Sequence, residues 1–197
     1  MNYQTTTLWF YNPYIFLVLA LCLGCLFLGL TSPLFYIVMT GVVLPVVVSM
    51  RLHTLSETGS AWLIKERSDW MLYLTAIPIQ EQRSTLNNPC FSSPERLQQF
   101  FLRGFGGKLA IQVVAVVMLF NQGKEIELMS FAGLVEALLL CLLVILLAST
   151  LRTLSQIRKQ QWEIQTITSK AGTVWYQALF LNKQKAQPAL SKLCSLV

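Results

Sequence analysis

The chain has 197 residues, of which 54% are hydrophobic and 12% are charged, and its formal net charge is +6. Soluble domains contain roughly 25% charged residues, so this chain carries about half the usual share. The mean hydropathy of +0.56 excludes a disordered chain, which needs far more polar residues. It also indicates more apolar surface than one soluble core of this size can bury. The composition therefore predicts an integral membrane protein.

Two uncharged runs in the first quarter of the chain predict a transmembrane hairpin. Residues 13–30 and 34–50 contain no Asp, Glu, Lys or Arg, and at 1.5 Å per residue each covers most of a hydrocarbon core of about 30 Å. A short stretch with Pro33 separates them and favours two helices over one. Pro45 is expected to kink the second span. Residues 1–12 lack the basic residues of a cleaved signal peptide, so the first run is predicted to be retained.

Two further runs predict a second hairpin. Residues 109–120 are short for a span, and we extend this span to 105–120 by letting Lys108 reach the membrane surface; a re-entrant segment is the alternative. The fourth run, 129–149, contains one charged residue, Glu136. The chain then divides into a hairpin segment 1–50, a loop 51–108, a second hairpin 109–149 and a basic tail 150–197.

The distribution of positive charge predicts the orientation. Of the 15 Lys and Arg residues, only Lys124 lies between the third and fourth spans, and all the others lie in the loop 51–108 or after residue 149. Because positively charged segments stay in the cytoplasm, both termini are predicted to be cytoplasmic, in a bacterial inner membrane. The charge favours a bilayer with anionic headgroups as partner. No nucleic-acid-binding module is visible, so nucleic acid is not expected to bind.

The loop and the tail are predicted to form amphipathic cytoplasmic helices. The apolar spacing in residues 60–77 indicates one helix. Ser93, followed by Pro and Glu, is typical of the start of another, which Gly104 and the glycines after it are expected to end. Helical spacing continues in the tail to about residue 170, and residues 174–180 predict a last helix that either lies at the membrane interface or docks a partner. The predicted fold is an all-α membrane protein with four transmembrane helices in two hairpins.

Four tryptophans are predicted to anchor the chain at the membrane interface, where the amphipathic indole ring is favoured. Each lies beside a predicted span or within a predicted amphipathic helix. They are Trp9, Trp62, Trp70 and Trp175.

Glu136 is the most informative single residue, because a charged acid inside a membrane is costly. The small residues Gly133 and Ala137 beside it favour close approach of another helix. Gln112 lies at a similar predicted depth in the third span, so we predict a Gln112–Glu136 hydrogen bond that packs two helices. An ion or proton relay through Glu136 is the alternative, and we favour the packing role because no further intramembrane charge accompanies it.

No motif for catalysis, metal binding or cofactor binding is recognisable. Cys22 and Cys25 match C-x-x-C, but their mid-span position favours packing over redox chemistry. His53 is the only histidine, and no His or Cys accompanies it at ligand spacing. The predicted function is a non-enzymatic accessory or interaction subunit of a membrane complex of the secretion, conjugation, exclusion or immunity type, with other membrane proteins or further copies of the chain as partners. The alternatives are a small oligomeric transporter or channel that uses Glu136, and a membrane-embedded enzyme.

Overall fold

The computed structural model describes residues 13–63, 65–74, 77–86, 88–124, 130–168, 172–182 and 185–195. Helices and strands both occur, and a π-helical turn, Met39–Val43, joins α2 to α3. The helices are α1 (Pro13–Phe27), α2 (Ser32–Val38), α3 (Leu44–Glu57), α4 (Pro94–Gly123), α5 (Phe131–Arg158) and α6 (Ala189–Cys194). The strands are β1 (Ala61–Trp62), β2 (Lys65–Leu74), β3 (Ile77–Leu86), β4 (Cys90–Phe91), β5 (Glu163–Thr168), β6 (Val174–Asn182) and β7 (Lys185–Pro188).

Three helical segments of the described chain are long and apolar enough to cross a membrane. They are Ser32–Glu57, Pro94–Gly123 and Phe131–Arg158, with 26, 30 and 28 residues. At 1.5 Å per residue each is longer than a hydrocarbon core of about 30 Å. The protein is therefore a mostly helical membrane protein. Helix α1 is apolar but has 15 residues, about 22 Å, so length and composition support three of the four predicted spans.

The first hairpin reverses earlier than predicted. Gly29 adopts a left-handed φ of 80° and ends α1, and the N–H of Leu30 donates to the carbonyl of Cys25 at 3.0 Å. This 6→1 bond is the usual closure of a helix by a glycine, because a side chain at that φ would be strained. Pro33 instead lies in the first turn of α2, where a missing N–H costs nothing.

Pro45 does not interrupt the second span, because the helix widens just before it. The N–H of Leu44 donates to the carbonyl of Met39, five residues back, at the end of the π-helical turn. Pro45 has no N–H and its ring would crowd the carbonyl four residues earlier. A π turn gives the ring room, and this is a common form of local distortion in long helices.

The fourth helix begins as predicted and ends much later. The Ser93 hydroxyl caps it by accepting the N–H of Arg96 at 3.3 Å, which confirms the predicted start. The expectation that Gly104 and the next glycines end it is wrong, because α4 runs unbroken to Gly123. Buried contacts on both sides of the glycines hold this stretch helical, as packing overrides a weak helix propensity.

The prediction of an all-α fold is wrong, and so are the amphipathic helices predicted over residues 60–77 and 174–180. The segment predicted as a helix over 60–77 contains β2, which pairs antiparallel with β3 from Lys65↔Leu86 to Leu74↔Ile77. Residues 174–180 belong to strand β6. Helix α5 continues the fourth span only to Arg158. A short apolar pattern does not by itself separate strand from helix, and pairing with other strands decides these segments.

Strand β6 is the centre of a five-stranded sheet. Its Leu179 pairs with Glu163 of β5 and also with Pro188 of β7, so β5 and β7 lie at opposite edges of β6. Tyr176 likewise joins β5 and β4. The order β1-β4-β6-β5 therefore leaves β5 as the outermost strand on its side.

Two hydrophobic clusters organise the described residues. The sheet core packs the five-stranded sheet and α6 against α3, the C-terminal end of α5 and the first half of α4, around Phe101, Phe105, Ile157 and Phe180. Its rings pack closely, with Phe101 and Trp162 centroids 5.8 Å apart. The helix core lies between α1, α2, α4 and α5 around Leu30, Ala115, Leu119 and Leu143. We use the term sheet end for the part of the molecule built around the sheet core.

Candidate functional site

Glu136 lies at the end of the α4–α5 pair rather than in its middle. A Cβ added at Gly123, the last residue of α4, would overlap the Glu136 carboxylate. The glycine thus makes room for the acid. Glu136 is only partly buried and lies level with the last residue of α4, so it does not stand in the apolar middle of the helix pair.

The predicted hydrogen bond between Gln112 and Glu136 is not formed. Gln112 is 1% exposed and lines a small space with Leu146 and Thr150 of α5. It lies three turns of α4 before Gly123, about 16 Å along the axis. The Gln112 side-chain oxygen has no hydrogen-bond partner among the described residues. The prediction failed because α4 extends past the assumed end of the span, which shifts the register of the two helices.

The two small residues beside Glu136 have different surroundings. Gly133 is buried, and its N–H donates to the capping hydroxyl of Ser130 at 3.2 Å. Ala137 is exposed, as are its neighbours Leu134 and Leu138. Within the described chain, only Gly133 of this pair serves packing, and the Ala137 face of α5 points outward.

Two of the four predicted tryptophan anchors meet on the sheet. Trp62 of β1 and Trp175 of β6 have ring centroids 6.0 Å apart, and Trp62 is exposed. Trp70 lies on β2 and not on a helix. Trp9 lies outside the described residues.

The edge strand β5 is the most exposed element of the sheet. It pairs with β6 from Glu163↔Leu179 to Thr168↔Val174, and no described strand pairs with its other side. All its residues except Ile167 are exposed. A free edge presents backbone N–H and C=O groups that can pair with a further strand.

Lys108 has a structural position that the sequence did not reveal. It is 4% exposed, and its Nζ donates to the carbonyl of Ser195 at 2.7 Å and to that of Lys192 at 3.3 Å. A cation at the carbonyl end of a helix is favourable, so Lys108 fixes the end of α6 against α4. The prediction that Lys108 reaches the membrane surface is therefore wrong. Only the distant C-terminal segment supplies the partners, and no local pattern predicts them.

Three arginines line an open cleft between α3 and α4. The cleft has a volume of about 460 Å³ and includes Arg51, Arg96 and Arg103, with Leu44, Val47 and Phe100 among its apolar members. Arg96 donates to the Ser60 hydroxyl at 2.6 Å. Arg51 directly follows the predicted span 34–50, but no sequence pattern brings the three arginines together.

Comparison with known proteins gives no relative for this chain. No family model, curated protein or solved structure matches it.

Proposed function

We propose that the protein is a non-enzymatic interaction subunit of a larger membrane assembly, of the secretion, conjugation, exclusion or immunity type. The observation that supports this most directly is the open β5 edge of a folded sheet on a chain with three apolar helices long enough to span a membrane. The helices hold the sheet end at the membrane, and β5 adds an extended segment of a partner protein to the sheet.

Strand addition fits the chemistry of β5. An added strand gains affinity from main-chain hydrogen bonds and specificity from alternate side chains. The β-branched residues Ile164, Thr166 and Ile167 give β5 high strand propensity. Proteins usually shield such an edge with lysine, proline or a bulge, and Glu163–Thr168 contains neither lysine nor proline.

We place the loop, the tail and the sheet end in the cytoplasm of a bacterial cell, with α1 as a fourth crossing that brings the N-terminus to the same side. The concentration of Lys and Arg in the loop and tail supports this orientation. Reporter fusions test it: fusions within the loop and at the C-terminus should report cytoplasm, and a fusion at Lys124 should report the opposite side.

Affinity purification of the tagged full-length chain from its native membrane, in mild detergent, tests the proposed partner binding. The edge variant is Ile164→Lys, on β5, and the matched control is Val174→Lys, on β6. The two side chains are 37% and 46% exposed, so both substitutions place a charge on a similar surface.

A partner that copurifies with the wild type and with Val174→Lys, and is lost in Ile164→Lys, supports recognition through β5. Photo-cross-linking from Gln165, on the same strand, should then join that partner to β5. Equal recovery in all three proteins contradicts binding through this edge. Isolation of the wild type with no stoichiometric partner contradicts the proposed subunit role.

Transport is the second candidate, supported by two buried polar atoms in the apolar helices. The Thr40 hydroxyl and the Gln112 side-chain oxygen have no hydrogen-bond partner among the described residues, and such groups mark polar pathways in some membrane proteins. The position of Glu136 beside Gly123 favours transport less than a mid-helix position would. Proteoliposome flux measured with Gln112→Leu and Glu136→Gln tests this candidate, and absence of flux in the wild type contradicts it.

A further inference from the structure

The cleft between α3 and α4 is apolar at one end and carries three arginines among apolar side chains along the rest of its length. On α3 it is lined by Leu44, Val47 and Arg51, which recur at helical spacing and so share a face. On α4 the corresponding face carries Arg96, Phe100 and Arg103. These two faces do not close on each other and leave the open space of about 460 Å³, a size typical of ligand pockets.

The two helices run in opposite directions, which sorts the lining residues by depth. Ser60, just after α3, bonds Arg96 near the start of α4, while Leu44 lies 4.0 Å from a Cβ added at Gly107. Arg96 therefore lies at the end toward the sheet, and Leu44 and Gly107 lie at the end toward the apolar spans. Arg51 and Arg103 lie between these two ends. Val47 is 56% exposed and continues this apolar end onto the outer surface of the helix.

No acidic side chain that the structure describes neutralises the arginines. Among the described side chains, which exclude those of residues 64–87, no Asp or Glu lines the cleft. The one ion pair among these side chains joins His53 to Glu57 at 3.3 Å, and neither of them lines the cleft. The guanidiniums of Arg51 and Arg103 are on exposed side chains, so both are free to approach an anion from the cleft mouth.

We infer that this cleft binds one anionic phospholipid, with its phosphate on Arg51, Arg96 and Arg103 and its acyl chains over Leu44, Val47 and Gly107. Guanidinium groups bind phosphate with paired hydrogen bonds, and basic pockets beside membrane helices select anionic headgroups. The apolar end requires a ligand with acyl chains, which distinguishes a lipid from free phosphate. Strand addition at β5 is not involved, so this inference holds or fails independently of the proposed function.

Native mass spectrometry of the full chain in a neutral detergent tests the inference. Phosphatidylglycerol and phosphatidylcholine with the same acyl chains are titrated separately, and inorganic phosphate is titrated in a third series. We expect one phosphatidylglycerol to bind at least tenfold more tightly than phosphatidylcholine, with no saturable binding of inorganic phosphate over the same range.

Two variants test the two ends of the cleft. Arg51→Gln combined with Arg103→Gln should weaken phosphatidylglycerol binding on the order of tenfold or more, while phosphatidylcholine binding stays unchanged. The control is Arg152→Gln, an exposed arginine of α5 that is absent from the cleft lining. The control should bind phosphatidylglycerol as the wild type does.

Gly107→Leu fills the apolar end of the cleft. It tests the inference separately from the arginine variants, whether or not those variants fold. The added Cβ meets Leu44 at an ordinary contact distance of 4.0 Å, and leucine favours a helix more than glycine. The rest of the side chain enters the cleft and should reduce phosphatidylglycerol binding by a similar factor.

Three results overturn the inference. The first is equal affinity for the two lipids. The second is competition by inorganic phosphate at the affinity of the lipid, which would assign a phosphate site. The third is unchanged phosphatidylglycerol binding in Gly107→Leu. Ile164→Lys, the edge variant, should bind the lipid normally, so loss of partner binding and loss of lipid binding remain distinguishable.

Discussion

Helix α6 packs against α4 at Gly104, where the absence of a side chain leaves room for Leu193. A side chain added at Gly104 is therefore expected to destabilise the protein. A Cβ at position 104 would lie 2.8 Å from one terminal methyl of Leu193 and 3.3 Å from the other. Leu193 is fully buried, so it has little room to move. Gly104→Ala should gain about 0.5–1 kcal/mol from helix formation and lose about 1–3 kcal/mol from overpacking, which leaves a net loss of stability.

The effect of Gly104→Ala on stability should change sign when Leu193 is shortened. Leu193→Ala alone should cost about 2–5 kcal/mol through lost burial and the cavity that remains. In that background the two methyl groups are gone, so Gly104→Ala should stabilise the protein by about 0.5–1 kcal/mol. The two substitutions are therefore expected to couple by about 1–3 kcal/mol in a double-mutant cycle.

Urea denaturation in detergent micelles, followed by tryptophan fluorescence, measures the cycle. Gly106→Ala is the matched control, because a Cβ there meets nothing within 4 Å and should stabilise both backgrounds equally. If Gly104→Ala behaves like Gly106→Ala in both backgrounds, α6 does not pack on this face of α4 and the reasoning is refuted.

Three further predictions concern polar and titratable side chains. Trp162 has a buried ring N–H with no partner among the described residues, so Trp162→Phe should change the free energy of unfolding by less than about 1 kcal/mol. Trp162→Ala should lower that free energy by about 3–5 kcal/mol. Urea denaturation followed by circular dichroism distinguishes the two variants. Gln112→Leu and Glu136→Gln should have additive effects on the free energy of unfolding, within about 0.5 kcal/mol, because the two side chains lie far apart. A larger coupling energy in thermal unfolding would contradict this and support a Gln112–Glu136 hydrogen bond. Burial raises the pKa of the Cys90 and Cys194 thiols from 9.0 to about 11. Between those values the unfolded thiols lose protons first, so stability should fall as pH rises from 9 to 11, and replacing both cysteines by Ala should reduce that slope in urea titrations.

Elements determined by local sequence were predicted closely. Uncharged runs form helices wherever they are long, because a helix satisfies its backbone hydrogen bonds within the segment. The capping role of Ser93 was also predictable, since its hydroxyl accepts from a residue three positions away. Both features depend only on neighbours in the chain.

The sequence alone determined that this is a membrane protein, where its apolar helices lie and how its positive charge is distributed. Tertiary structure decided the rest, because the deciding contacts join distant segments. Strand β6 pairs with β5, β4 and β7, so the tail became a sheet where its pattern had indicated a helix. Lys108 is buried because the end of α6 supplies two carbonyl acceptors. Glu136 meets Gly123 because the register of α4 and α5 depends on where both helices end.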